Sequence, residues 1–550
     1  MPEVKRKPTD ITKSIKNRTM TECGAATFRQ YRPCDIVYQT QFFRACARKS
    51  LPLSGEQSIP PLHLQHEVET ISMLTLFPTP GRPQRIPFRV SRRDALQIGG
   101  LSALGGLWPG VQTNLFAGRQ THSATARRCI YIFLCGGPSQ LDMWDPKPNA
   151  PDAIRGPFQP VSTSVPGFQI GDLLPLTAQR ADKFAIIRSM MHTSNSHDVG
   201  IKYTLLANSL VPGPAYPPLP ADHPGMGGIL RSLLGDTGRL PAWVTLPRPF
   251  TTGNRYYRGQ TGGFLGNTFD PFLLNEEKKE SLADKTFRIG ALDLPDAVNS
   301  SRFSDRRRLL DSIDQHAAGS IAAEPSEQVR SNYDKAFDLI ASADVRGAFD
   351  LDQEPASLRD RYGRNEYGQS FLLARRLAEA GTRYVNVFWT YYGKDGCQFN
   401  LWDNHGSDKD VCGGYNRGVD MIRGEYCCPS FDRAFSALLD DLTDRSMLDD
   451  TLVVVTGEFG RTPKINKFSG RDHWCHCYSS VLAGGGVRGG AIYGASDEQA
   501  AYVKEDPVRP EDLGATILHS FGFAPEAEIF EPTGRPVRSS TGQPVTALFS

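Results

Sequence analysis

The sequence predicts an α/β fold, a mostly parallel sheet covered by helices on both faces. Three observations predict it. Short apolar runs rich in β-branched and aromatic residues recur along the chain and end in glycines or polar residues. Between them lie segments with apolar residues at helical spacing. Gly (52) and Pro (40) are plentiful among the 550 residues, which suits long ordered loops on a regular framework better than a helical bundle.

Residues 1–72 are rich in Lys, Arg, Thr and Pro, hold Cys23, Cys34 and Cys46, and sustain no period of 2 or 3.6. They read as disordered. The next stretch, PFRVSRRDALQIGGLSALGGLWPG (87–110), sets Arg92-Arg93 before a weakly apolar, Gly-rich run too interrupted to span a bilayer stably. SRRDAL resembles a twin-arginine export motif, with Ala95 where a Phe is usual. Such signals stand at a chain start. The expectation is therefore a true start at Met73, an extension over 1–72, an export signal and linker over 73–118, and a periplasmic or secreted mature chain.

The strands follow. CIYIFLCGG (129–137) is the first, KFAIIRSM (183–190) the second and TRYVNVFW (382–389) the third. TLVVVTG (451–457) and YSSVLAGGG (478–486) complete the set. SFLLARRLAEAG (370–381) is a helix with Phe371, Leu372, Ala374, Leu377 and Ala378 on one side, closed by Gly381. FDRAFSALLDDLTDRSML (431–448) sets Phe431, Phe435, Leu438, Leu439 and Leu442 on one stripe. Residues 210–330, Pro/Gly-rich and then charged, read as a long insertion beside the active face.

Lys+Arg (62) and Asp+Glu (60) nearly cancel. That balance, with no basic stripe and no stacking-aromatic pattern, argues against a nucleic-acid partner. The 11 cysteines are too few for a disulfide scaffold of this length. Cys475 and Cys477 lie two apart and could share a strand face as metal ligands; ordinary packing is the plainer reading.

Ligands of open α/β sheets bind beyond the carboxyl ends of the strands. After 129–134 come Ser139, Asp142 and Asp145. After 183–190 come His192, Ser194, Ser196, His197 and Asp198, opening a helix. After 382–389 come Asp403 and His405. After 451–456 come Glu458 and Arg461, then Asp472 and His473. Taken singly, most pass for turn, cap or loop residues, Glu458 directly after a buried strand least readily. Together they bring carboxylates, imidazoles and hydroxyls to one sheet edge, the donor chemistry of zinc, calcium or magnesium. Divalent ions there would polarise an ester and activate its attacker, and Arg461 could hold an anion bidentately.

The motifs GGPSQLDMWDPKP, SNSHDVG, WDNHG and GEFGRTPKIN–GRDHW, in this order, resemble the "domain of unknown function 1501" family over roughly residues 125–545. That family is placed in the alkaline phosphatase–sulfatase superfamily. The resemblance implies a three-layer α/β/α sandwich with metal ligands at strand ends. Asp142 matches the first acidic ligand, Asp403 and His405 the Asp–His pair, Glu458 the late-strand carboxylate and His473 the final histidine, with Asp472 beside it. Ser196 is the nearest hydroxyl to the nucleophile position, and His197 is equally placed, as ligand or general acid–base. Phe459 stands where the superfamily has a second histidine, and the Cys-x-Pro-x-Arg sulfatase signature is missing. The expectation is an exported metal-dependent hydrolase of phosphate or sulfate esters, acting on a small molecule or polysaccharide. The alternative is a catalytically degenerate binding protein of the same fold.

Overall fold

An eight-stranded sheet forms the centre of the computed structural model. The structure describes residues 120–549 apart from 237, 253–254, 275–280, 285–299, 318–335, 338, 393–397 and 411–413. The segments 1–72 and 73–118, read as extension and export signal, lie outside the described residues. In chain order the strands are β1 (Arg128–Leu134), β2 (Phe184–Met190), β3 (Trp243–Leu246), β4 (Phe272–Leu273), β5 (Tyr384–Trp389), β6 (Thr451–Thr456), β7 (Tyr478–Ala483) and β8 (Ile492–Tyr493). Their order across the sheet is β8-β2-β7-β6-β1-β5-β3-β4. Neighbours run parallel except at β7, which is antiparallel to both β6 and β2.

Each central strand is apolar on both sides because both faces are covered. Ile130, Ile132 and Leu134 of β1 join one core with the helices α3 (Glu366–Glu379) and α4 (Cys428–Asp444). Cys129, Tyr131 and Phe133 alternate into a second core with α1 (His197–Leu205), α2 (Met226–Leu234) and α5 (Pro510–Ser520). The layers are thus helix, sheet, helix, as expected. The predicted stripes are the ones that pack: Phe371, Leu372, Ala374, Leu377 and Ala378 of α3 and Phe431, Phe435, Leu438, Leu439 and Leu442 of α4 are fully buried. Burial of such a large apolar side chain stabilises by about 1.5–3 kcal/mol. Asn365 caps α3 by accepting from the Gly368 N–H, and Gly381 ends it with a φ of 111°.

One expectation changes. Residues 210–330 are not wholly an insertion, since Trp243–Leu246 pairs with Tyr384–Val387 as a strand of the central sheet. With four residues inside a Pro/Gly-rich stretch, that strand is too short to show a period. Cys475 and Cys477 are buried free thiols, with burial pushing both above the usual thiol range. No helix among the described residues is long and apolar enough to cross a membrane.

On α4, Asp440 accepts from Arg180 (2.7 Å), Lys183 (2.9 Å) and Arg361 (2.6 Å). Burial would raise its pKa, but the three cations hold it well below the usual carboxylate range. A depressed folded pKa stabilises above the unfolded value of about 3.9 and loses that contribution as pH falls below it. Asp440→Asn is expected to lower Tm at pH 7, with the gap to the parent closing as pH drops below about 4. A gap that stays constant from pH 7 to 3 would contradict this.

Candidate metal centre at the carboxyl edge of the sheet

Because β1, β2, β5 and β6 are parallel, their carboxyl ends share one edge; antiparallel β7 presents its start there. Glu458 follows β6, His197 opens α1 beyond β2, Asp403 and His405 follow β5, and His473 precedes β7. The edge therefore gathers side chains from across the chain.

Asp403 is the hub. Its Oδ1 accepts from Arg461 Nη2 (2.7 Å) and lies 3.1 Å from His473 Nε2; its Oδ2 lies 3.1 Å from His197 Nε2 and 3.4 Å from His405 Nε2. All three imidazoles are anchored through the other nitrogen. His197 Nδ1 is 2.7 Å from Glu458 Oε1, His473 Nδ1 3.0 Å from the Asn195 carbonyl, and His405 Nδ1 2.5 Å from the Gly406 carbonyl. Such acceptors call for a proton on Nδ1, which in a neutral ring leaves Nε2 a bare lone pair. Three lone pairs aimed at one carboxylate repel unless positive charge lies between them.

That charge is either protons or a cation. Burial opposes a proton on His197, yet Asp403 and Glu458 outweigh it and lift its pKa to about 9. The Asp403 hydrogen bond likewise raises His405. Burial would raise the Asp403 carboxyl, but Arg461 and the three imidazoles hold it well below the usual range. The geometry also suits a divalent cation. His197 Nε2 is buried without a hydrogen-bond partner, although Asp403 is near. His197, Asp403 and His473 each offer one ligand atom, all within 4.8 Å of one another. Tetrahedral ligands at about 2.0–2.1 Å from zinc stand roughly 3.4 Å apart.

The surroundings hold this set in place. Glu458 is fully buried, and the Gly136 N–H donates to its Oε1 (2.9 Å) and Oε2 (3.2 Å). Gly136, at φ 120°, lets the backbone of Asp403 approach so closely that a Cβ would sit 2.4 Å from its nitrogen. One glycine thus locks Glu458 and Asp403 together. His192 receives the Ser194 N–H at Nδ1 (3.2 Å) and donates from Nε2 to the Glu458 carbonyl, tying the loop before α1 to the end of β6. The Phe459 ring, fully buried, packs 4.9 Å from both His197 and His473 as an apolar floor.

Several predicted roles change. Glu458 orients His197, and neither it nor His405 stands among the closely spaced ligand atoms of His197, Asp403 and His473. Asp142 is not drawn in: Arg471 grips both of its oxygens at 2.9 Å, and Ser139 donates to Oδ2 at 2.6 Å. A permanently charged guanidinium already neutralises that carboxylate. Asp472 is exposed and accepts from Asn466 at 2.9 Å, in a turn. Arg461 is no free anion clamp. It is fully buried and donates to the carbonyls of Gly136, Gly137 (2.7 Å), Trp402 (3.1 Å) and Arg471 (3.1 Å) besides Asp403. Ser196 is exposed at the N-cap of α1, its hydroxyl unused for capping. Sequence reading named His192 but gave it no role, saw in Gly136 and Gly137 only room for tight backbone approach, and missed Asn195; their partners lie far away in sequence, which leaves no local signal.

This is an α/β/α chain with a three-imidazole, one-carboxylate centre at its sheet edge. It belongs to the family described as protein of unknown function (DUF1501), whose profile matches residues 126–549. No curated protein matches. Among solved structures, the chain is similar to a protein in the alkaline phosphatase superfamily from Vibrio parahaemolyticus (TM-score 0.30, 11% identity, 82% of this chain and 78% of that one). It is similar to the phosphonate monoester hydrolase SpPMH from Silicibacter pomeroyi (TM-score 0.32, 13% identity, 77% and 76%). A third is Ps i-CgsB in complex with k-i-k-neocarrahexaose (TM-score 0.32, 11% identity, 72% and 72%).

Proposed function

We propose that this protein is an exported, metal-dependent hydrolase of phosphate or sulfate esters with one catalytic cation. The observation that carries this reading is the set of three anchored imidazoles whose Nε2 atoms face Asp403. His197, Asp403 and His473 would hold the ion, leaving a position open for substrate. A divalent cation there supplies Lewis acidity, polarising the ester oxygen and favouring a nearby hydroxyl or water as attacker. Glu458 keeps His197 in the right tautomer, and Arg461 neutralises and orients Asp403. Ser196, at the N-cap of α1, would be the attacking hydroxyl. The twin-arginine-like SRRDAL motif supports export.

Phe459 favours a second reading, a binding protein that keeps the fold and one ion, because its ring occupies the floor between His197 and His473. Metal analysis of purified protein and turnover of nitrophenyl phosphate and nitrophenyl sulfate separate the two. The hydrolase reading expects about one ion per chain, turnover lost in Ser196→Ala with metal retained, and metal affinity lowered about 10–100-fold in Glu458→Gln. Stoichiometric metal without turnover of any ester favours the binding protein. Metal-free active protein overturns the centre itself.

A further inference from the structure

With Arg461 committed to backbone carbonyls and Asp403, the substrate needs another cation, and the structure offers an exposed one linked to His197 through Tyr216 and the adjacent Asp198. A column of aromatic rings rises from the sheet. Phe388 of β5 stacks on Phe250 (5.7 Å, 21°), and Phe250 stacks on Tyr257 (5.0 Å, 15°). Tyr257 meets Tyr216 edge to face (5.4 Å, 88°), and the Arg255 guanidinium caps Tyr216 at 4.3 Å from the ring centroid.

The column stands beside the centre. The Tyr257 and Tyr216 hydroxyls donate to the two oxygens of Asp198 (2.8 and 3.2 Å), the residue next to His197 in the first turn of α1. Burial, Asp198 and, less strongly, the Glu458 charge push the Tyr257 phenol up, so Tyr257 lies within electrostatic reach of the centre. Both hydroxyls are spent on Asp198, and the ring face of Tyr216 is covered. What remains for a ligand is the guanidinium. Nearby cations are engaged: Lys202 donates to the Val211 and Gly213 carbonyls, and Arg258 pairs with Asp222. Arg255 is exposed, with no carboxylate partner among the described residues. A guanidinium laid on a rigid ring keeps its N–H fork open in plane, pre-organised for bidentate contact with an oxyanion.

We propose that Arg255 is a specificity residue that binds a second anionic group of the substrate, so that esters bearing two sulfates or two phosphates are selected over those bearing one. This deepens the hydrolase reading and rests on it for the position of the first anion. The test is calorimetric binding to the full zinc-loaded chain, independent of turnover. The probes are a disulfated disaccharide against its monosulfated counterpart, and a hexose bisphosphate against the hexose monophosphate; the two pairs distinguish sulfate from phosphate. The parent should prefer the doubly charged member of at least one pair by roughly tenfold or more, the effect of one charge-assisted contact. Arg255→Gln should erase that preference and Arg255→Lys should restore part of it. An unchanged preference in Arg255→Gln, or no preference in the parent, overturns the proposal. Preferential binding with no turnover of any ester sinks the hydrolase reading alone.

Discussion

Asp403→Asn is expected to empty the centre of metal. Asp403 faces the Nε2 atoms of three histidines and carries the negative charge that balances buried Arg461. Asparagine keeps the shape but loses the charge, so a cation placed there would face two imidazoles and an uncompensated guanidinium. Removing a partner that only orients a ligand costs roughly 10–100-fold in metal affinity, so losing the hub should exceed about 100-fold. Elemental analysis after dialysis should then find no bound ion, and ester turnover should vanish with it. Asp472→Asn is the matched control. That carboxylate is exposed and held by Asn466, so metal content should stay at the parent level. Retention of metal by Asp403→Asn, or its loss from Asp472→Asn, would refute the arrangement.

Arg461→Met should be the most destabilising single change at the site. The parent side chain is fully buried and joins the loop after β1, the loop before Asp403 and the ribbon carrying His473. Methionine fills much of the volume but leaves carbonyls unpaired and the Asp403 charge without its strongest neighbour. Breaking one side of a buried ion pair typically costs about 3–5 kcal/mol. Denaturant unfolding should show the midpoint falling with little change in slope. Arg461→Lys keeps the charge but cannot reproduce the forked contacts, so it should fall between the two. A loss below about 1 kcal/mol in Arg461→Met would mean that other groups hold these three segments together. Metal addition should recover part of the loss, since an ion that binds only the folded chain stabilises it by mass action.

The opposite fates of Asp142 and Asp403 show where sequence reading reached its limit. Both are carboxylates in a segment that follows a strand of the central sheet. Arg471, 329 residues away in sequence, claims Asp142, while three imidazoles claim Asp403. No local pattern tells these cases apart, because each depends on which partner the fold delivers. Glu458 and Arg461 are likewise visible as charges after a buried strand, but their full burial and their committed hydrogen bonds are not.

The linear chain by itself determined the layered architecture. Five sheet strands and two core helices were legible, since apolar periodicity is a local property that any folded arrangement must satisfy. It also named the residues that reach the sheet edge, because strand ends are readable and a parallel sheet brings them to one side. Tertiary structure alone decided which of them meet, which nitrogen of each histidine is tied, and that four residues at 243–246 join the sheet. Those outcomes follow from long-range pairing, where the energy of a charge is set by the neighbours it meets in space rather than by those beside it in sequence.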